Sequence, residues 1–246
     1  VTSPETPRSL TLAYVPGATP AKWVRIWRER FPDIAIDLVA LDVAATASAV
    51  AGGVVDIAIT RLPDALNHGD AGPHHTISLY EETTVVVLPK DHGLTAGDEL
   101  TFDDVADESF LWPLEESLAL PARPGVAVDH RPETVADAIE LVAAGVGQLV
   151  VPQSLARLHH RKDLVYRPLV DAQTSTVGLL WPDPTSELCA EFIGIVRGRK
   201  ATSSRGRSEP APKRSAKEKA AAKQARRQAA GKVPGTGKGS ARRRSR

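Results

Sequence analysis

Between Leu10 and Ile59 the chain alternates between short apolar runs that end in turns and stretches with helical spacing, and few folds accept that rhythm. Leu10, Leu12 and Tyr14 belong to an apolar run that stops at Pro16-Gly17, which predicts a strand closed by a turn. Thr19 before Pro20 fits an N-cap with proline at the first helical position. Trp23, Ile26, Trp27 and Phe31 then recur at helical spacing until Pro32 ends the helix. A strand over residues 34–41, an alanine-rich helix over about 44–51, a Gly52-Gly53 stop and a strand over 55–59 complete a βαβαβ series. Such a series implies a largely parallel sheet covered by helices, because parallel neighbours need a connection long enough to hold a helix.

A second series begins with the apolar strand 83–88, which meets Pro89 and the turn Asp91-His92-Gly93. A helical turn at 102–105 and strands at 110–112 and 127–130 follow. Thr134 then caps a helix running to Ala144, and Gly145-Val146-Gly147 returns the chain to the strand 149–151. Pro152 opens a helix over 154–158, strands cover 164–169 and 177–181, and a last helix spans about 187–197. The order gives two α/β units in series and a terminal strand and helix that can return to the first.

Charge divides the chain again. From Arg197 onward there are eighteen Lys and Arg against two acids, a net +16, which leaves 13 basic and 28 acidic residues, a net −15, before it. The tail is rich in Ser, Gly, Pro, Ala, Lys and Arg and has almost no bulky apolar residue, so no core offsets the entropy of ordering it. Residues 199–246 are therefore expected to be disordered when free, and 213–230 to turn helical on a polyanion. Residues 1–9 read as a disordered lead-in. The single cysteine, Cys189, excludes an intramolecular disulfide, and no apolar stretch reaches the roughly 20 residues that cross a bilayer. With no leader pattern at the N-terminus, the expectation is a soluble cytoplasmic protein without a membrane partner.

Several stretches resemble the effector-binding (substrate-binding) domain of LysR-type transcriptional regulators. They are LTLAYVPGATPAKWVRIWRERFPDIAIDLVALDVAATASAVAGGVVDIAITRLP, LYEETTVVVLPKDHGL, ETVADAIELVAAGVGQLVVP and the terminal VGLLWP with its helix, in that order. The resemblance implies the two-lobed type II periplasmic-binding-protein fold, with lobe I from residues 10–82 and 176–198, lobe II from 83–175, and two hinge crossings. It also implies a small-molecule effector and allows a homodimer. The family's N-terminal helix-turn-helix is not matched, since nine residues precede the first strand; operator reading by a recognition helix is therefore not expected of this chain.

In open α/β lobes ligands bind beyond the carboxyl ends of the strands, and that rule selects candidates. Gly17, Ala18 and Thr19 place backbone N–H groups and a hydroxyl at a helix start, a site for a carboxylate, unless Thr19 only caps its own helix. Thr60 and Arg61 follow the strand 55–59; Arg61 offers a fork to an anion, or is simply solvated. Thr134 starts the opposing helix, where capping alone is the competing account. Gln148 interrupts an apolar run beside Gly147 and is either a ligand contact or an edge residue in a turn. His74-His75 and His159-His160 lack partners at metal-ligand spacing and read as solvated loop and helix-end histidines, so no metal is expected. His92 reads as a turn residue, Cys189 as a buried structural thiol, and the Trp23, Trp27 and Phe31 stripe as core packing with a share in a dimer surface as the alternative.

No Gly-x-Ser-x-Gly elbow, phosphate loop, His-Glu-x-x-His or Cys-x-x-Cys occurs, so neither catalysis nor a cofactor is expected. The leading expectation is a sensor in transcriptional regulation that binds a small anionic metabolite. Its tail would bind DNA without sequence preference through Lys213, Arg214, Lys217, Lys219, Lys223, Arg226, Arg227, Arg242, Arg243 and Arg244. The alternative is a nucleoid-associated or scaffold protein acting mainly through that tail.

Overall fold

The apolar runs become the inner strands of two separate five-stranded sheets in the computed structural model, which describes residues 9–62, 72–115 and 117–199. In chain order the elements are β1 (Ser9–Tyr14), α1 (Ala21–Arg30), β2 (Ala35–Ala40), α2 (Val43–Ala51), β3 (Ile57–Leu62), β4 (His74–Glu82) and β5 (Thr84–Pro89). A 3-10 turn (Gly93–Ala96) then leads to β6 (Ser109–Leu111), β7 (Val126–Ala127), α3 (Val135–Ala143), β8 (Gln148–Pro152), α4 (Gln153–Leu158), β9 (Leu164–Pro168), β10 (Ser175–Pro182) and α5 (Glu187–Val196).

The first sheet has the order β2-β1-β3-β10-β4. Strands β2, β1 and β3 are parallel, as the βαβαβ pattern requires, and β10 returns antiparallel between β3 and β4. Its core gathers Leu10, Leu12, Ile57 and Ile59 with Trp27 of α1 and Phe192 of α5. The aromatic stripe is therefore largely core: Trp27 is fully buried, packs with its ring tilted 46° and 4.8 Å from that of Phe31, and donates its indole N–H to Ile34 O at 3.0 Å. Cys189 is buried in the same core, its thiol donating to Asp56 O at 3.2 Å, and burial raises its pKa.

The second sheet runs β7-β6-β8-β5-β9. Its inner strand β5, between β8 and β9, is covered on both faces, which is why its sequence is continuously apolar rather than alternating. Val85 and Val87 pack toward Ile139 and Val142 of α3, whereas Val86 and Leu88 pack toward Phe110 and Leu100.

Three local expectations need correction. His74 and His75 are not in a loop: they begin β4, where His75 lies beside Trp181 and 3.3 Å from Asp183 Oδ1. Thr19 does not cap α1; Pro20 holds the cap position, Trp23 and Val24 donate their N–H groups to its carbonyl, and no side chain closes the helix start. The strand expected over 127–130 is the two-residue Val126–Ala127. The tail residues chosen for nucleic acid, from Lys213 to Arg244, and the first eight residues of the lead-in lie outside the described residues.

The chain passes from the first lobe to the second between Glu82 and Thr84 and returns between Pro168 and Ser175. Thr84 Oγ1 donates to Gln173 O at 2.6 Å and Leu169 N to Thr84 O at 3.0 Å, so the two crossings are tied side by side.

Candidate functional site: a cleft between two lobes

Strand directions bring the loops of both lobes to one gap. β1 ends at Tyr14 and releases the turn Pro16-Gly17 into α1, and β8 ends at Pro152 beside Thr84 and releases α4. Between them lies a cleft of about 640 Å³, lined from the first lobe by Tyr14, Gly17, Ala18, Thr19 and Tyr80 and from the second by Ser154 and Arg157, among others. The Pro16-Gly17 turn leads into α1, which has no side-chain cap hydrogen bond and no acidic residue in its first helical turn, so nothing there offsets its N-terminal partial positive charge. Across the cleft, Arg157 is steadied by a hydrogen bond from its Nε to Tyr166 Oη at 3.2 Å. The Tyr80 hydroxyl has its pKa raised, chiefly by burial and then by the Glu82 charge, and so remains a proton donor at neutral pH.

Beneath the cleft Arg61 is 1% exposed, and its Nη2 donates to Pro16 O at 3.0 Å, Ser154 Oγ at 3.1 Å and Glu82 Oε2 at 3.3 Å. Ser154 Oγ in turn donates to Glu82 Oε2 at 2.9 Å. Arg61 is thus a buried structural cation rather than a solvated one, and its Nε has no partner among the described residues. Gly17, at φ +85°, sits against this cluster: a Cβ there would lie 2.5 Å from Ser154 Oγ and 3.1 Å from Arg61 Nη2. The backbone angle and the close approach both exclude a larger residue.

The other sequence candidates separate from the cleft. Thr60 points to the opposite face of β3, fully buried, with its hydroxyl 3.0 Å from that of Thr46 on α2. Period-two alternation forbids Thr60 and Arg61 from facing the same space. Thr134 closes a capping box with Asp137, its Oγ1 taking the Asp137 N–H at 3.1 Å, while Glu115 Oε2 takes the Val135 N–H at 2.9 Å. Two carboxylates therefore already occupy the start of α3. Gln148 is buried at the amino end of β8, where its Nε2 lies 3.0 Å from His92 Nε2 and donates to Glu108 Oε2 at 3.1 Å. It stands at the opposite end of the strand from Pro152 and so outside the cleft. His92 has the expected turn role, accepting the Leu94 N–H on Nδ1. A smaller cavity of about 220 Å³ is lined wholly by the second lobe, around Trp112 and Val151.

Sequence reasoning missed Ser154, Tyr80 and Arg157. The strand 149–151 ends toward Pro152, so the carboxyl-end rule applied to it selects Ser154 rather than Gln148. Among the described residues, no group of three or more His, Cys, Asp or Glu is placed to hold a metal, and no helix is long and apolar enough to cross a membrane.

Two α/β lobes joined by paired crossings around a ligand-sized cleft define the type II periplasmic-binding-protein class of effector-binding domains. The chain belongs to the LysR substrate binding domain family, whose profile matches residues 6–201. It is 29% identical over 189 residues to the HTH-type transcriptional regulator AlsR of Bacillus subtilis, covering 70% of this chain and 59% of that protein. It is 37% identical over 134 residues to the HTH-type transcriptional regulator CatR of Pseudomonas putida, covering 50% of this chain and 44% of that one. The chain thus spans about half the length of these relatives. Among solved structures, the BenM effector binding domain with its effector benzoate superposes with a TM-score of 0.64 at 19% identity, over 78% of this chain and 92% of that one. The oxidised form of OxyR does so with a TM-score of 0.62 at 19% identity, over 77% and 92%. These two likenesses establish the shared fold.

Proposed function

We propose that the chain is the sensing part of a transcriptional regulator, binding a small anionic metabolite between its lobes and catalysing nothing. The observation that carries this reading is the interlobe cleft lined by Gly17, Ala18 and Thr19, the turn that leads into the uncapped α1, and by Arg157 of the other lobe. An anion there lies near the positive end of the α1 dipole on one side and Arg157 on the other, while the Ala18 N–H is already donated to Val15 O. Glu82 does not oppose it strongly, because Arg61 sits 3.3 Å away and offsets its charge. Arg61, Thr60, Thr134 and Gln148 stabilise the lobes in this reading, and Gly17, Ala18 and Thr19 remain the ligand contacts. The relatives' names support a role in transcriptional regulation; a cytoplasmic location and a second copy of the chain as partner belong to the same proposal.

The test is thermal unfolding against a panel of small carboxylates, benzoate included. A ligand at about one hundred times its Kd stabilises the folded state by about 2.7 kcal/mol, a readily measured rise in Tm. An unfolding temperature that no carboxylate moves would overturn the anionic-effector reading.

A second reading rests on the +16 tail and concerns a different partner. Cationic side chains from Lys213 to Arg244 are proposed to bind duplex DNA through phosphates, with affinity falling steeply as salt rises. Gel-shift titration of the full chain against one ending at Lys200, at two salt concentrations, decides it; equal binding by both would remove the tail from the account.

A further inference from the structure

Ser154 belongs to the second lobe, yet both of its hydrogen-bond partners belong to the first. Its hydroxyl donates to Glu82 Oε2 and accepts from Arg61 Nη2, using one donor and one acceptor in a single three-membered ring of contacts. Arg61 and Glu82 sit at 1% and 8% exposure, so the ion pair is shielded from water, while Ser154 is half-buried at the wall of the cleft. A buried ion pair of this kind is weak evidence of stability, but it is a good register device, because any displaced member leaves a charge poorly satisfied. Arg61 has little to spare, since its Nε has no partner among the described residues.

The ring also stands where lobe rotation must be felt. Glu82 is the last residue of β4, one residue from the first crossing, and Gln153, beside Ser154, donates its N–H to Thr83 O at 2.9 Å. On the far side Gly17 abuts Ser154 so closely that no side chain fits between them. Ser154 and Gly17 line the cleft as well, so whatever fills the cleft touches the same two residues.

We propose that Ser154 is an interlobe latch: its hydroxyl, seated on the buried Arg61–Glu82 pair and backed by Gly17, sets the angle between the lobes. A change of lobe angle then requires this ring to be exchanged for other contacts. The latch is a property of the lobes themselves; its test uses no effector, and its failure would leave the cleft's ligand-binding role standing.

The experiment measures the interlobe distance in the full chain by double electron–electron resonance. Spin labels go on Ala45→Cys and Ala106→Cys, both solvent-exposed and in different lobes, while Cys189 is buried at 1% exposure and stays unlabelled. Ser154→Ala removes both hydroxyl bonds without adding bulk. It is expected to broaden the distance distribution or shift its mean by about 2 Å or more, the scale of a domain rearrangement. Gly17→Ala wedges the same contact from the other lobe and is expected to shift the mean as well. Circular dichroism checks that both variants are folded. A distribution unchanged in Ser154→Ala overturns the latch, whatever Gly17→Ala does.

Discussion

Helices α1 and α3 are similar in length, each follows a strand of its own sheet, and each has a threonine just before it, yet their N-termini differ in what they offer a ligand. At α3, Thr134 and Asp137 form a reciprocal capping box, and Glu115 accepts the next backbone N–H. At α1 the threonine lies one residue too early, Pro20 has no side-chain donor or acceptor, and the first turn carries no acidic residue to offset the dipole. A third anion at α3 would meet two carboxylates on the helix start itself; the first turn of α1 carries none, and the cleft's own glutamates, Glu81 and Glu82, stand at the end of β4. A threonine before each helix thus conceals different electrostatic outcomes, and the difference lies in a one-residue offset and in Asp137, which has no acidic counterpart in the first turn of α1.

The comparison can be pressed at decreasing scale. Core truncation should not distinguish the helices. Trp27→Ala on α1 is expected to cost about 3–5 kcal/mol and Ile139→Ala on α3 about 2–5 kcal/mol, read from urea denaturation, since both side chains are buried in closely packed cores. A loss under 1 kcal/mol at either would mean that helix is not anchored as described. Cap truncation should distinguish them: Thr134→Ala is expected to lower stability by about 1 kcal/mol, leaving the Asp137 N–H without its acceptor. Thr19→Ala, at an exposed side chain with no capping bond, should change stability by less than about 0.5 kcal/mol. Equal costs at the two threonines would erase the contrast. If Thr19→Ala nevertheless weakens the thermal shift given by a bound carboxylate, the open helix start is the ligand-facing one.

The parts of the molecule legible in the sequence are those governed by local pattern. The βαβαβ series, the capped start of α3 and the doubly buried β5 all follow from period and punctuation over a dozen residues. β4 did not emerge, because HHTISLYEE carries histidines, serine and glutamates, with only Ile77 and Leu79 packing inward against the core. Its strand state comes from pairing with β10, about a hundred residues later, and edge strands have no second neighbour to impose a stronger apolar pattern. The role of Arg61 was hidden for the same reason: its partners Glu82 and Ser154 stand 21 and 93 positions away. Gln148 illustrates a different failure. Its polarity inside an apolar run was visible, but the strand's direction places it at the wrong end, and its amide serves His92 and Glu108 instead.

The pairing of Ser175 with Glu82 across β10 and β4 has a consequence for how such a chain is built. If everything from Thr84 to Gln173 were excised and Thr83 joined to Thr174, the two strands would meet through a two-residue loop, the commonest connection of a β-hairpin. The second lobe is in that sense a cassette inserted at a hairpin tip, with adjoining ends, and it can be exchanged for another without rethreading the sheet that receives it.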